Sequence, residues 1–171
     1  MPHMPAPVIG KLGALMNGFN LDSLKRYSLS LLALFLYALS LLLPAFSGNG
    51  ESYGGYLVLS FGVVQSVMYL LGALQLTLLL EVKSALSVMV LALPWLANLF
   101  FLTSFALHLY KQRHVKIVAI LALICAITFF LKPQASIGQT MAIVEVSIHT
   151  GAYIWLLSTL VLVIAVFKER T

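Results

Sequence analysis

Long stretches without a single Asp, Glu, Lys or Arg dominate this chain and decide most of what it can fold into. Residues 27–46 form one such run of 20, residues 56–80 one of 25 and residues 84–110 one of 27. Val115–Leu131 adds an apolar stretch of 17 residues, and 137–167 is apolar apart from Glu145 and His149. A helix crosses a bilayer with about 20 apolar residues, so four or five crossings use up the chain. A soluble domain is excluded, because its surface calls for roughly 25% charged residues and this chain has 9%, with 61% hydrophobic and a mean hydropathy of +1.04. Disorder is excluded on the same ground, since disordered chains are poor in apolar residues. The expected fold class is an all-α polytopic membrane helical bundle, with residues 25–171 as a single transmembrane domain.

The few charges then act as a compass. Ten Lys and Arg against five Asp and Glu give a formal net charge of +5. In a soluble protein that excess would suggest nucleic acid; here it reports orientation, because cytoplasmic loops collect Lys and Arg. If all five runs cross, Lys11, Lys25, Arg26, Lys83 and Lys132 fall on one side and Lys111, Arg113, Lys116, Lys168 and Arg170 on the other, an even split. If 56–80 does not change sides, only Lys83 and Lys132 are outside and the remaining eight are inside. The asymmetry favours four transmembrane helices with both termini cytoplasmic, plus a re-entrant or interfacial outer helix over 56–80, broken near Gly62 or Gly72. Five spans is the alternative. Residues 1–24, with Val8, Leu12, Leu15, Met16 and Phe19 at helical spacing, are expected to form an amphipathic segment on the cytoplasmic surface. They lack the layout of a cleavable signal peptide.

Ionisable residues in or beside apolar segments are the first candidates for chemistry. Glu145, His149 and Tyr153 follow one another at i, i+4 spacing, so a helix through them places a carboxylate, an imidazole and a phenol on one face. With Glu81 and Asn98 they make a candidate outward-facing binding site, in which Glu145 accepts a proton and His149 changes charge near neutral pH; the plain alternative is the exposed end of a long helix. His3, His108, His114 and His149 offer no pair at one depth for haem, and no metal-ligand motif is present. No cofactor is therefore expected. The single cysteine, Cys125, lies deep in an apolar run and is expected to be an inert thiol. Serines such as Ser66, Ser104 and Ser158 have no nucleophile-elbow context, so catalysis has no visible support.

Small and polar residues repeat at helical spacing instead. Ala33, Tyr37, Ser40 and Pro44 form one stripe, Gly62, Gln65, Tyr69 and Gly72 another, and Gly151 and Ser158 a third. Helices in lipid meet through such residues. Asn98, one turn beyond Pro94, is expected to bond a neighbouring helix or the carbonyl that Pro94 frees. Tyr27 and Tyr110, with Tyr153 and Trp155 at the other surface, are expected as interfacial anchors.

Four short patterns carry a resemblance: Leu43-Pro44-Ala45-Phe46, Gly55-Tyr56, Trp95-Leu96-Ala97-Asn98 and Gly151-Ala152-Tyr153-Ile154-Trp155-Leu156. Their order over 27–167 resembles a family of small, uncharacterised bacterial inner-membrane proteins with four spans. In that family proline usually follows the Ala-Asn pair, whereas here Leu99 does. The resemblance implies topology and the bacterial inner membrane, and it implies no activity. The function expected is non-catalytic: an accessory or immunity-type subunit that packs against a membrane-protein partner or a second copy within the lipid bilayer. A small transporter using the polar site above is the rival, and an enzyme acting on a lipid or isoprenoid comes third.

Overall fold

The computed structural model describes residues 27–137 and 142–168; the amphipathic segment expected over 1–24 lies outside them. Among the described residues the chain order is α1 (Ser28–Leu42), β1 (Pro44–Gly48), β2 (Glu51–Gly54), α2 (Gly55–Leu78), α3 (Val82–Leu109), α4 (Val115–Leu131), β3 (Gln134–Ile137), β4 (Ala142–Glu145), β5 (Ser147–Ile148) and α5 (Thr150–Lys168). Three helices, α2, α3 and α5, are long and apolar enough to cross a membrane, while α1 and α4 are shorter apolar helices.

Four of the helix ends meet at one pole. Tyr27, just before α1, packs edge-on against His108 near the end of α3, with ring centroids 5.5 Å apart. Lys116 at the start of α4 lies over the Phe167 ring at the end of α5, 4.8 Å from its centroid. Lys111 and Arg113 occupy the turn between α3 and α4 at the same pole, which makes it the basic end. The opposite pole is built from strands. Leu43 adopts the extended backbone that a residue before proline prefers, which stops α1 at Leu42. Pro44 then opens a hairpin whose two-residue loop, Asn49 and Gly50, has φ of 54° and 82°. Two positive φ values in succession are the Asn-Gly hairpin turn. Strand β5 adds to the other edge of β1, while β3 and β4 pair with each other.

These strands correct one expectation. Residues 142–149 do not extend the last helix; β4 and β5 take them, and α5 begins only at Thr150. Ile143, Val144, Val146 and Ile148 are β-branched and fit a pleated surface better than a helix. Glu145 and His149 therefore share no helix face.

A second correction concerns 56–80. Helix α2 is continuous through Gly62 and Gly72, as glycines often are in apolar helices. It pairs antiparallel with the N-terminal half of α3, Gly62 facing Trp95 and Gly72 lying 3.9 Å from Val88 by its ideal Cβ. The turn at 79–81 closes this hairpin away from the core, and Leu80 there is 87% exposed. Leu80 sits at φ 64°, and the backbone bonds Glu81 N–H to Leu76 O and Leu80 N–H to Thr77 O complete a left-handed helix cap. The chain thus leaves the strand pole on α2 and returns to it on α3. Only the second half of α3 goes on to the basic end.

The interior is rich in small side chains, packed around a few large ones such as Phe101 and Leu162, and many large side chains lie on the exterior. Ala33, Ala119, Ala122, Ala126, Ala165, Ser30, Ser104 and Ser158 are all fully buried. Phe35, Phe61, Leu74 and Leu78 are more than half exposed. Tyr37 stacks on Phe101 at 4.6 Å in the middle of the main core cluster. An inside-out distribution of this kind follows when helices gain nothing by hiding leucine and gain most by close backbone approach.

Candidate functional site

The structure separates most of the residues that the sequence placed in one polar site. Glu81 caps the start of α3 at the hairpin tip, exposed. Glu145 is exposed on β4, opposite Gln134 of β3. His149 lies between β5 and α5, where its Nε2 is 2.9 Å from Ser47 Oγ and its backbone N–H donates to Ala45 O at 2.9 Å. It ties the start of α5 to β1. Tyr153 is 56% exposed, with its ring 5.5 Å from that of Phe130. Of the five candidates Asn98 lines the cavity described below and the other four do not.

Asn98 is the meeting point of three helices. Its Oδ1 accepts from Tyr37 Oη of α1 at 3.1 Å and from Trp155 Nε1 of α5 at 2.8 Å. Its Nδ2 reaches back to the Pro94 carbonyl at 3.5 Å. The expected bond to a neighbouring helix is present twice over. Trp155, expected as a surface anchor, is instead turned inward to supply one of these bonds. The signal for it was its four-residue spacing from the fixed contact at Gly151.

The packing glycines differ among themselves. An ideal Cβ on Gly151 would stand 2.6 Å from Pro44 O and 2.9 Å from Leu43 O. One on Gly62 would stand 2.8 Å from Trp95 Cδ1, and one on Gly72 would meet nothing closer than 3.9 Å. Ser158 is fully buried and donates to Trp155 O at 2.6 Å. Gly55, which the sequence marked only through its neighbour Tyr56, is as tight as Gly151: its Cβ would stand 2.8 Å from Leu41 Cα and would also run into Ser40 O. This contact holds the first turn of α2 against the end of α1, supported by a bond from Gly55 N–H to Leu43 O at 2.9 Å.

Between α2 and the rest of the bundle lies a cavity of about 570 Å³. Its walls come from α1, β1, β2, α2, α3, α4, β3 and α5, and they are mostly apolar, with Val58, Phe61, Leu91 and Phe129 among them. Asn98, Trp95 and Trp155 line it too, so both tryptophans of the chain border one space. Glu51, Tyr53 and Gln134 belong to the strand pole. Tyr53 Oη donates to Glu51 Oε2 at 3.0 Å, and desolvation first, then Glu51, push the Tyr53 phenol pKa up. The volume is within the range of small-molecule sites, and so is an apolar lining with few polar groups. Among the described residues no group of three His, Cys, Asp or Glu is placed to hold a metal ion.

Comparison with protein-family models, with curated proteins and with solved structures finds no match to this chain.

Proposed function

We propose that this chain is a four-span inner-membrane protein, both termini cytoplasmic, that holds an apolar molecule in the cavity at its strand pole without transforming it. The observation that carries the reading is the cavity itself: about 570 Å³ of mostly apolar space between α2 and the bundle. Topology supports the placement. Lys111, Arg113, Lys116 and Lys168 gather at one pole, while Lys83 and Lys132 lie beyond it at the hairpin tip and beside the strands. With the basic pole cytoplasmic, α1, α3, α4 and α5 cross, and α2 with the first half of α3 forms an arm on the outer side. The cavity then opens at the depth of the outer leaflet, where lipid chains are the nearest apolar molecules. A transport route through Glu81, Glu145, His149 and Tyr153 draws no support from the cavity, since none of the four lines it.

The test uses the two tryptophans as built-in reporters. Titrating the purified chain in detergent with a phospholipid brominated on its acyl chains is expected to quench most of the emission of Trp95 and Trp155. Val58→Phe, which fills the cavity from its wall, is expected to reduce that quenching at least threefold with the fold intact by circular dichroism. Equal quenching in the two proteins would show that the lipid merely surrounds the bundle, and would sink the reading. One observation favours the accessory role as a second reading: the arm exposes Leu70, Leu71, Leu74 and Leu78. An unquenched protein that co-purifies with a stoichiometric membrane partner would transfer the assignment to that role.

A further inference from the structure

Charge is distributed unevenly around the cavity. Its helices supply apolar surface, Val58 and Phe61 from α2, Leu91 from α3 and Phe129 from α4, whereas the one charged residue of the lining, Glu51, comes from β2 at the strand pole. Among the described residues no Lys, Arg or His lines the cavity. Glu51 is set in place by its neighbours. Residues two apart on a strand share a face, and Tyr53 Oη donates to Glu51 Oε2 at 3.0 Å. The Tyr53 ring packs in turn on Phe46, with centroids 5.3 Å apart, and Phe46 is buried and lines the cavity as well. The Tyr53 phenol is the single side-chain partner of Glu51 among the described residues, so the second carboxylate oxygen is unused and the negative charge has no cation paired with it.

We infer that the molecule held in the cavity is an amphiphile with an ammonium head group, its apolar chain among the helices and its head at Glu51. A carboxylate attracts an ammonium group by charge, and an aromatic face such as that of Tyr53 attracts it too. Glu51 is itself exposed, so the head stays in contact with water and escapes the desolvation cost of a buried ion pair. An anionic head fits badly, because it would meet the Glu51 charge with no cation in the lining to offset it. The inference rests on the cavity reading and adds the head group that the cavity selects. Two sources carry that chemistry, the ethanolamine head of a phospholipid and a free long-chain amine.

Two matched pairs of probes isolate the head group. Phosphatidylethanolamine and phosphatidylglycerol with the same brominated acyl chains form one pair, and a brominated long-chain primary amine and the corresponding alcohol form the other. Tryptophan quenching in a non-ionic detergent is expected to show the ammonium member of one or both pairs binding about fivefold more tightly than its counterpart, the effect of an ion pair at a hydrated rim. Whichever pair shows the preference identifies the source. Glu51→Gln keeps an acceptor for Tyr53 Oη and is expected to fold as the parent does, to bring the preference below about twofold and to leave binding of the alcohol unchanged. Glu145→Gln makes the same change of charge at the same pole, outside the cavity lining, and is expected to keep the preference. Equal affinities within both pairs in the parent chain, or a preference lost equally in Glu145→Gln, would overturn the head-group inference, and saturable quenching would then leave the cavity reading standing. Failure of all four probes to quench would overturn both.

Discussion

Asn98→Leu is expected to lower the stability of the purified protein by about 2–3 kcal/mol, read by denaturant unfolding in mixed micelles. Leucine keeps the branched shape and the number of heavy atoms, so the main loss comes from two donors on two different helices. Tyr37 Oη and Trp155 Nε1 both end on Asn98 Oδ1, and leucine leaves both without a partner. A buried donor left unpaired costs about 1–3 kcal/mol, while hydrogen bonds between helices in membranes average nearer 0.6, with a maximum of about 1.7. Two such losses give the expected range. A cycle sharpens the result: Tyr37→Phe is expected to be destabilising alone and close to neutral in the Asn98→Leu background. A leucine variant as stable as the parent would remove Asn98 as the node joining α1, α3 and α5.

Gly151→Val is expected to be as severe, at about 3 kcal/mol or more, in the upper part of the range for overpacked sites. The Cβ would enter the space of two backbone oxygens, Pro44 O at 2.6 Å and Leu43 O at 2.9 Å. Backbone cannot rotate away as a side chain does. The crowded segment is also the join between α1 and β1, where His149 N–H and Ser47 are held by the same strand. Gly72→Ala supplies the contrast. Its Cβ would meet only Val88 Cγ1 at 3.9 Å, and alanine is a better helix former by up to about 1 kcal/mol, so this variant is expected to match or exceed the parent in thermal unfolding. Equal losses at Gly151 and Gly72 would show that these glycines act through helix propensity rather than through close approach.

That contrast also shows what the sequence could and could not carry. Gly62, Gly72 and Gly151 are alike in sequence, each a small residue in an apolar stripe, and only the neighbouring segment decides how close the approach is. Gly55 was concealed for the same reason. In the first stripe Ala33, Tyr37 and Ser40 were legible because they lie on one helix, and all three are buried, whereas Pro44 falls beyond the helix end, opening β1 in an exposed position. Asn98 was legible because an amide in the middle of an apolar run must find partners. Its partners were not, since Tyr37 and Trp155 are 61 and 57 residues away.

The strand pole was missed through a different weakness. Between 137 and 149 an apolar run with two polar residues fits a long helix and a set of short strands equally well until β-branching is weighed. Asn49 and Gly50 carried the hairpin turn in plain view, although strands are seldom sought between apolar helices. The cavity had no signature at all, because eight elements contribute to its walls. Charge was the opposite case. Lys83 and Lys132, the two cations that the charge count separates from the rest, lie apart from the pole that gathers Lys111, Arg113, Lys116 and Lys168.

In the proposed topology α2 and the first half of α3 form an arm that leaves and rejoins the bundle on one side of the membrane. Cysteine accessibility in sealed cells tests it most directly, in a chain with Cys125→Ser and single cysteines at Asn49, Lys83 or Arg113. An impermeant maleimide added from outside is expected to label Asn49→Cys and Lys83→Cys alike and to leave Arg113→Cys untouched until the cells are opened. Labelling of Asn49→Cys and Arg113→Cys from outside, with Lys83→Cys protected until opening, would put α2 across the membrane and contradict the four-span arrangement.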